Sequence, residues 1–288
     1  VLRRLVILGI VTALGGCAVD VGSATDTTAE AGAALTGTVG LLEIDRRVDE
    51  QGAHLSAAFA RYQGVAEQDV LSLVGRSRAR AELDSCVLAS DEPNVPETAL
   101  VELVDVGTLQ VGLEPLDTRV VQAIPTARLV ARTFPDVASV MAGVFYAGAT
   151  DLPAPRAEAD AYVVEATGGQ DVGAFRVGVA APSEVAMLVV GDGDGTIARD
   201  RALELSWLPG TPADAIEIEI GSRGESVVCT AVDDGAFRLE PALIAALGAD
   251  ADAQLSVRRV RVRAFGAEGL ESAFARVAVT RSERVSIR

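Results

Sequence analysis

Apolar and polar positions alternate along most of this chain in short runs, and Gly, Pro and Asp punctuate the runs. That pattern describes half-buried β-strands. It predicts strands over 53–62, 79–89, 101–111, 126–134 and 161–166. The second half alternates more cleanly. Leu203, Leu205 and Trp207 share one face, with Glu204 and Ser206 opposite. Ile216, Ile218 and Ile220 face inward, with Glu217 and Glu219 outward. Leu255 and Val257 share a face, then Val260 and Val262 do, and the phase slip at Arg258-Arg259 predicts a β-bulge. A closing strand is expected over 273–280. Helices are few. Pro241 stands at a first helical position before an apolar run that Gly248 stops, and a second short helix fits within 66–80. The expectation is an all-β protein of two β-sandwich domains, 37–182 and 183–288. The boundary is marked by Pro182 to Gly195, which enclose a strand-like 185–190.

The N-terminus departs from this pattern. Arg3 and Arg4 precede an apolar run from Leu5 to Leu14, and small residues follow. This order describes a secretory signal. The run is short of the roughly 20 residues that cross a bilayer core of about 30 Å. Leu14-Gly15-Gly16-Cys17 resembles the lipobox of bacterial lipoproteins. The resemblance implies cleavage before Cys17 and a diacylglycerol on its thiol. On this reading 1–16 is a lipoprotein signal peptide, and 17–36 is the acylated cysteine with a flexible tether rich in Ala, Thr and Gly. Such a tether reaches about 25 Å on average. Position 18 is Ala and not Asp, which favours the outer membrane in a cell with two membranes.

Charge narrows the partners. The net charge is −16, and cleavage of the signal removes two of the arginines. An acidic chain opposes nucleic acid, whose recognition needs clustered basic residues. The expected partners are the membrane, through the lipid, and an envelope or extracellular protein. Cys86 and Cys229 remain once Cys17 is acylated. In an exported chain an even remainder fits a disulfide, and two buried thiols fit equally, because sequence does not fix their separation.

Candidate chemistry is sparse. His54 is the only histidine and lies in an alternating run, as a strand-surface residue would. There is no second histidine for a multi-histidine zinc site, and no lysine for Schiff-base chemistry. Gly191-Asp-Gly-Asp-Gly195 resembles a fragment of a calcium loop. Asp192, Asp194 and Asp200 could supply oxygens, but the twelfth position from Asp192 is Leu203, not Glu. No catalytic residue and no organic cofactor is expected, and calcium is the one ion this stretch points to. Asp233-Asp234-Gly235 reads as a hairpin turn.

Two resemblances bear on the fold. Ala202-Leu-Glu-Leu-Ser-Trp-Leu-Pro-Gly followed by Ala215-Ile-Glu-Ile-Glu-Ile resembles strands B and C of fibronectin type III and related immunoglobulin-like modules. It implies an Ig-like second domain with Trp207 packed between sheets. More widely, Asp105-Val-Gly-Thr-Leu-Gln-Val-Gly, Gly168-Gly-Gln-Asp-Val-Gly-Ala-Phe, Val227-Val-Cys-Thr and Phe237-Arg-Leu-Glu-Pro-Ala-Leu resemble segments of a group of predicted lipoproteins from myxobacteria-like bacteria. That resemblance implies address and fold and carries no activity. The expected function is a lipid-anchored, non-enzymatic envelope protein that contacts another protein. The alternatives are a carbohydrate- or ligand-binding surface module and a hydrolase with an acid pair that spacing does not single out.

Overall fold

The computed structural model describes residues 36–50, 52–75, 81–90, 99–114, 122–124, 126–128, 141–150, 161–186, 188–190, 195–222 and 224–288. Along the chain run β1 (Thr36–Arg47), β2 (Ala53–Gln63), α1 (Glu67–Val74), β3 (Ser85–Ser90), β4 (Leu100–Leu103) and β5 (Leu109–Glu114). Then follow β6 (Gln122–Ile124), β7 (Thr126–Arg128), β8 (Met141–Thr150), β9 (Ala161–Ala166) and β10 (Phe175–Ala180). The second half holds β11 (Val189–Val190), β12 (Thr196–Ile197), β13 (Leu203–Ser206), β14 (Ala215–Ser222), β15 (Glu225–Val232), β16 (Ala236–Leu239), α2 (Pro241–Ala246), β17 (Asp250–Ala264) and β18 (Ser272–Ile287). The protein is all-β, and no helix among the described residues is long and apolar enough to cross a membrane.

One ten-stranded sheet is the frame, in the order β15-β14-β17-β18-β1-β2-β4-β8-β7, with β12 also on β18. Its spine is β18. One edge of β18 pairs antiparallel with β17, and the other pairs parallel with β1 from Val39 opposite Ser272 to Arg47 opposite Thr280. The first described strand is thus bonded to the last. Two smaller sheets, β10-β9-β5-β6 and β11-β13-β16, complete the structure.

Side chains alternate between faces along a strand, and paired residues share a face. Leu42 and Ile44 on β1, Ala275 and Val277 on β18, and Leu255 and Val257 on β17 therefore lie on one face of the long sheet. That face carries two cores. In the first, Leu42, Ile44, Leu55 and Phe59 pack against Leu109, Val111, Tyr162 and Val177 of the four-stranded sheet. In the second, Ile216, Ile218, Val227 and Val257 pack against Leu203, Leu205 and Leu239 of the three-stranded sheet, with Trp207 among them. On the opposite face Val39, Leu41, Ala58 and Ala60 are covered by Val70 and Leu71 of α1. Phe59 and Phe175 meet at 5.6 Å between ring centroids, which joins the two layers of the first core.

Several local expectations are corrected. The run 101–111 is two strands, β4 and β5, which belong to different sheets. The chain turns between them at Gly107, whose φ of +78° is left-handed. There a side chain would also meet the Gly168 carbonyl oxygen at 2.4 Å. Second, β17 has no bulge at Arg258-Arg259. Its register against β18 runs without a break from Ala253 to Ala264, and the irregularity lies between Asp250 and Ala253. Third, Asp233-Asp234-Gly235 does not join a hairpin, because β15 pairs with β14 while β16 pairs with β13. The closing strand is also longer than 273–280, and β1 begins at Thr36, the last residue assigned to the tether. The short helices are α1 and α2, the latter with Pro241 in its first turn.

Candidate functional site

The most concentrated chemistry lies at the seam between the two cores. Arg259 follows Leu255 and Val257 on the inward face of β17, and it is 1 % exposed. Its Nε donates to Asp233 Oδ2 at 2.6 Å, and its Nη2 to Asp233 Oδ1 at 3.1 Å. Nη2 also donates to the Leu208 carbonyl at 2.6 Å, and Nη1 to Ser183 Oγ and the Glu184 carbonyl, both at 2.8 Å. All five guanidinium N–H groups therefore find acceptors. Asp233 is filled in the same way. Trp207 Nε1 donates to Oδ1 at 2.7 Å, and the Gly210 amide donates to Oδ2 at 3.0 Å. Position 210 must lack a side chain, because a Cβ there would stand 2.5 Å from Asp233 Oδ2 and 2.7 Å from Arg259 Nε. Burying two charges is costly, and only a complete set of partners makes it tolerable. A carboxylate that already accepts four bonds is badly placed to act as a general base.

Similar pairs flank this node. Arg46 of β1 donates to Glu184 at 2.6 Å, and Arg261 of β17 grips Asp214 at 2.7 and 2.9 Å. The 183–184 linker is thus held from two strands of the long sheet. On the opposite face, Arg276 bridges Glu43 and Glu217, Arg258 pairs with Glu219 at 2.7 Å, and Thr280 donates to Asp45 at 2.6 Å. The arginines of β17 and β18 thus bind acids of β1, β14 and the connecting loops.

A second node fixes the β4–β5 turn. The Tyr146 hydroxyl donates to Asp105 Oδ1 at 2.6 Å and accepts from the Val106 amide at 2.9 Å. The Tyr146 hydroxyl and the Gly107 amide hold the Asp105 carboxyl below its ordinary range. Burial, then the neighbouring carboxylate, pushes the Tyr146 phenol well above its own.

Cys86 of β3 and Cys229 of β15 are bonded, S–S 2.10 Å, across 143 residues of sequence. Cys229 is fully buried in the second core, and Cys86 packs against it. His54 is half-buried on β2, 3.0 Å from Glu50. Asp200 is exposed in a turn. Cys17, Asp192 and Asp194 lie outside the described residues. Among the described residues no group of three or more His, Cys, Asp or Glu is placed to hold a metal ion.

No family model and no curated protein matches this chain. Its reading rests on its own chemistry.

Along the chain Arg259 and Asp233 read as a phase slip and as part of a turn, and not as a buried pair. The available signal was a charge at an inward position: Arg259 keeps the phase of Leu255 and Val257, and the apparent slip is a buried arginine in an unbroken strand.

Proposed function

We propose that this chain is an exported, lipid-anchored protein of the bacterial cell envelope, and that it acts by contact with another protein and not by catalysis. The observation that carries this reading is the Cys86–Cys229 bridge. Disulfides persist in oxidising compartments outside the cytosol, so the bridge fits the signal and lipobox-like segment ending at Cys17. Acylation of Cys17 would then place an acidic, all-β body at a membrane surface, since two or more acyl chains anchor firmly where one does not.

The absence of catalysis is inferred from how the buried charges are used. The most deeply buried acid–base pair, Arg259 with Asp233, has every donor and acceptor engaged. A carbohydrate-binding platform needs exposed aromatic faces. Trp207, Tyr62, Tyr146 and Tyr162 are all buried, which weighs against that alternative.

Fractionation of cells that carry the native chain and Cys17→Ser tests the address. The native chain is expected in the membrane fraction with an acyl mass on its N-terminal cysteine, and the variant in the soluble fraction. Equal partition of both overturns the reading.

A further inference from the structure

Arg259 and Asp233 fill their hydrogen-bonding positions, and the Tyr146 hydroxyl both donates and accepts. Three buried side-chain atoms have no such partner among the described residues: Arg46 Nε, Arg47 Nε and Tyr162 Oη. Arg47 belongs to the outer face of β1, where its guanidinium meets Glu50 at 3.2 Å. The other two face the first core from opposite layers. Arg46 keeps the inward phase of Leu42 and Ile44 on β1 and is 8 % exposed. Tyr162 of β9 packs into the core from the four-stranded sheet and is 1 % exposed. Both stand at the seam. Tyr162 is paired with Val179 of β10, and β10 runs on into the 183–184 linker, where Arg46 Nη2 holds Glu184 at 2.6 Å. Burial pushes the Tyr162 phenol above its ordinary range, and the Arg46 guanidinium draws it back down. The hydroxyl therefore lies within the field of that guanidinium.

A buried donor or acceptor without a partner has lost its hydration and received nothing in return. Here one group can only donate, and the other can donate or accept. Two such groups at one polar place are what a buried water joins. It accepts from Arg46 Nε and donates to Tyr162 Oη. A small anion would accept from both, but two features oppose it. Glu184 already neutralises the guanidinium, and the chain carries a net charge of −16, whose field repels anions. An apolar ligand would leave both groups unpaired.

We propose that a water molecule is bound between Arg46 Nε and Tyr162 Oη as a resident part of the fold. It joins β1 of the long sheet to β9 of the four-stranded sheet, beside the arginine clamp on the linker. The site goes beyond the reading of this chain as a contact protein and does not depend on its membrane address. The test is oxygen-17 magnetic relaxation dispersion of the full chain in water, which counts waters held in the fold for longer than the molecule takes to tumble. Tyr162→Phe removes one side of the site. Arg46→Lys puts a methylene where Nε stands and keeps a cation for Glu184. Each variant is expected to lose one long-lived water, and the double variant to lose that same water and no other. In a urea titration Tyr162→Phe should raise the unfolding equilibrium constant about fivefold, because a bonded hydroxyl has gone. The fluorescence of Trp207 shows whether each variant is folded. An unchanged relaxation amplitude in either single variant overturns the proposal, as do separate losses that add in the double variant. So does a Tyr162→Phe chain that is as stable as the native one or more stable, which is the result for a hydroxyl without a partner. Stabilisation of the native chain by chloride over fluoride at equal ionic strength, lost in Tyr162→Phe, overturns it in favour of an anion.

Discussion

At the scale of the residue, the least ordinary choice in this chain is a charge where an aliphatic side chain would be expected. Arg259 and Asp233 each have side chains 1 % exposed. Removing one partner leaves the other charged and buried, a loss of about 3–5 kcal/mol. Arg259→Met and Asp233→Asn are therefore each expected to lower unfolding stability by about that amount in a urea titration followed by Trp207 fluorescence. Arg238 and Glu204 form a comparison pair at 2.9 Å with side chains 63 % and 62 % exposed. Arg238→Ala should cost below about 1 kcal/mol, because water screens exposed pairs. Similar losses at both sites would show that the buried pair is not a structural node. This position also shows how sequence misleads. A polar residue at an inward position reads as a change of phase, because periodicity records hydrophobicity and not direction. The partner that makes Arg259 tolerable is 26 residues away in a loop, and one-dimensional spacing does not carry that pairing.

At the scale of the element, legibility followed the number of solvated faces. β14, with Ile216, Ile218 and Ile220 fully buried and Glu217 and Glu219 between them, was plain from its period of two. β1 was not. Val39, Leu41, Leu42 and Ile44 are all buried because α1 covers one face and the four-stranded sheet the other, so its alternation disappears. Partners were also hidden. Cysteine parity allowed a bridge between Cys86 and Cys229 without requiring it, and the adjacency of β3 and β15 is a tertiary fact. The bridge closes a loop spanning 143 residues. In the chain-entropy account, closing a loop of that size restricts the unfolded state by about 4–5 kcal/mol. Cys86→Ala with Cys229→Ala is expected to keep the β-sheet circular-dichroism spectrum and to lower the denaturation midpoint correspondingly. An unchanged midpoint would place the origin of stability elsewhere.

At the scale of the whole molecule, the question is whether the two cores behave as one body. Residue 183, where the sequence marks a boundary, lies in a segment whose backbone and side chain accept from Arg259, while the next residue's carboxylate accepts from Arg46. β18 contributes Ala275 and Val277 to the first core and Val285 and Ile287 to the second, and the described residues from Thr36 to Arg288 belong to a single compact unit. One core cannot melt without stripping hydrogen bonds from a strand that also serves the other. Scanning calorimetry of the full chain should therefore give one unfolding transition, with equal calorimetric and van't Hoff enthalpies. Arg46→Met with Arg259→Met removes the guanidinium clamps on the linker but leaves β18 intact. The transition should then move to lower temperature and remain single. Two resolved transitions in the native chain would mean that the shared strand does not couple the cores. Two transitions in the double variant alone would assign the coupling to the arginines and not to the sheet.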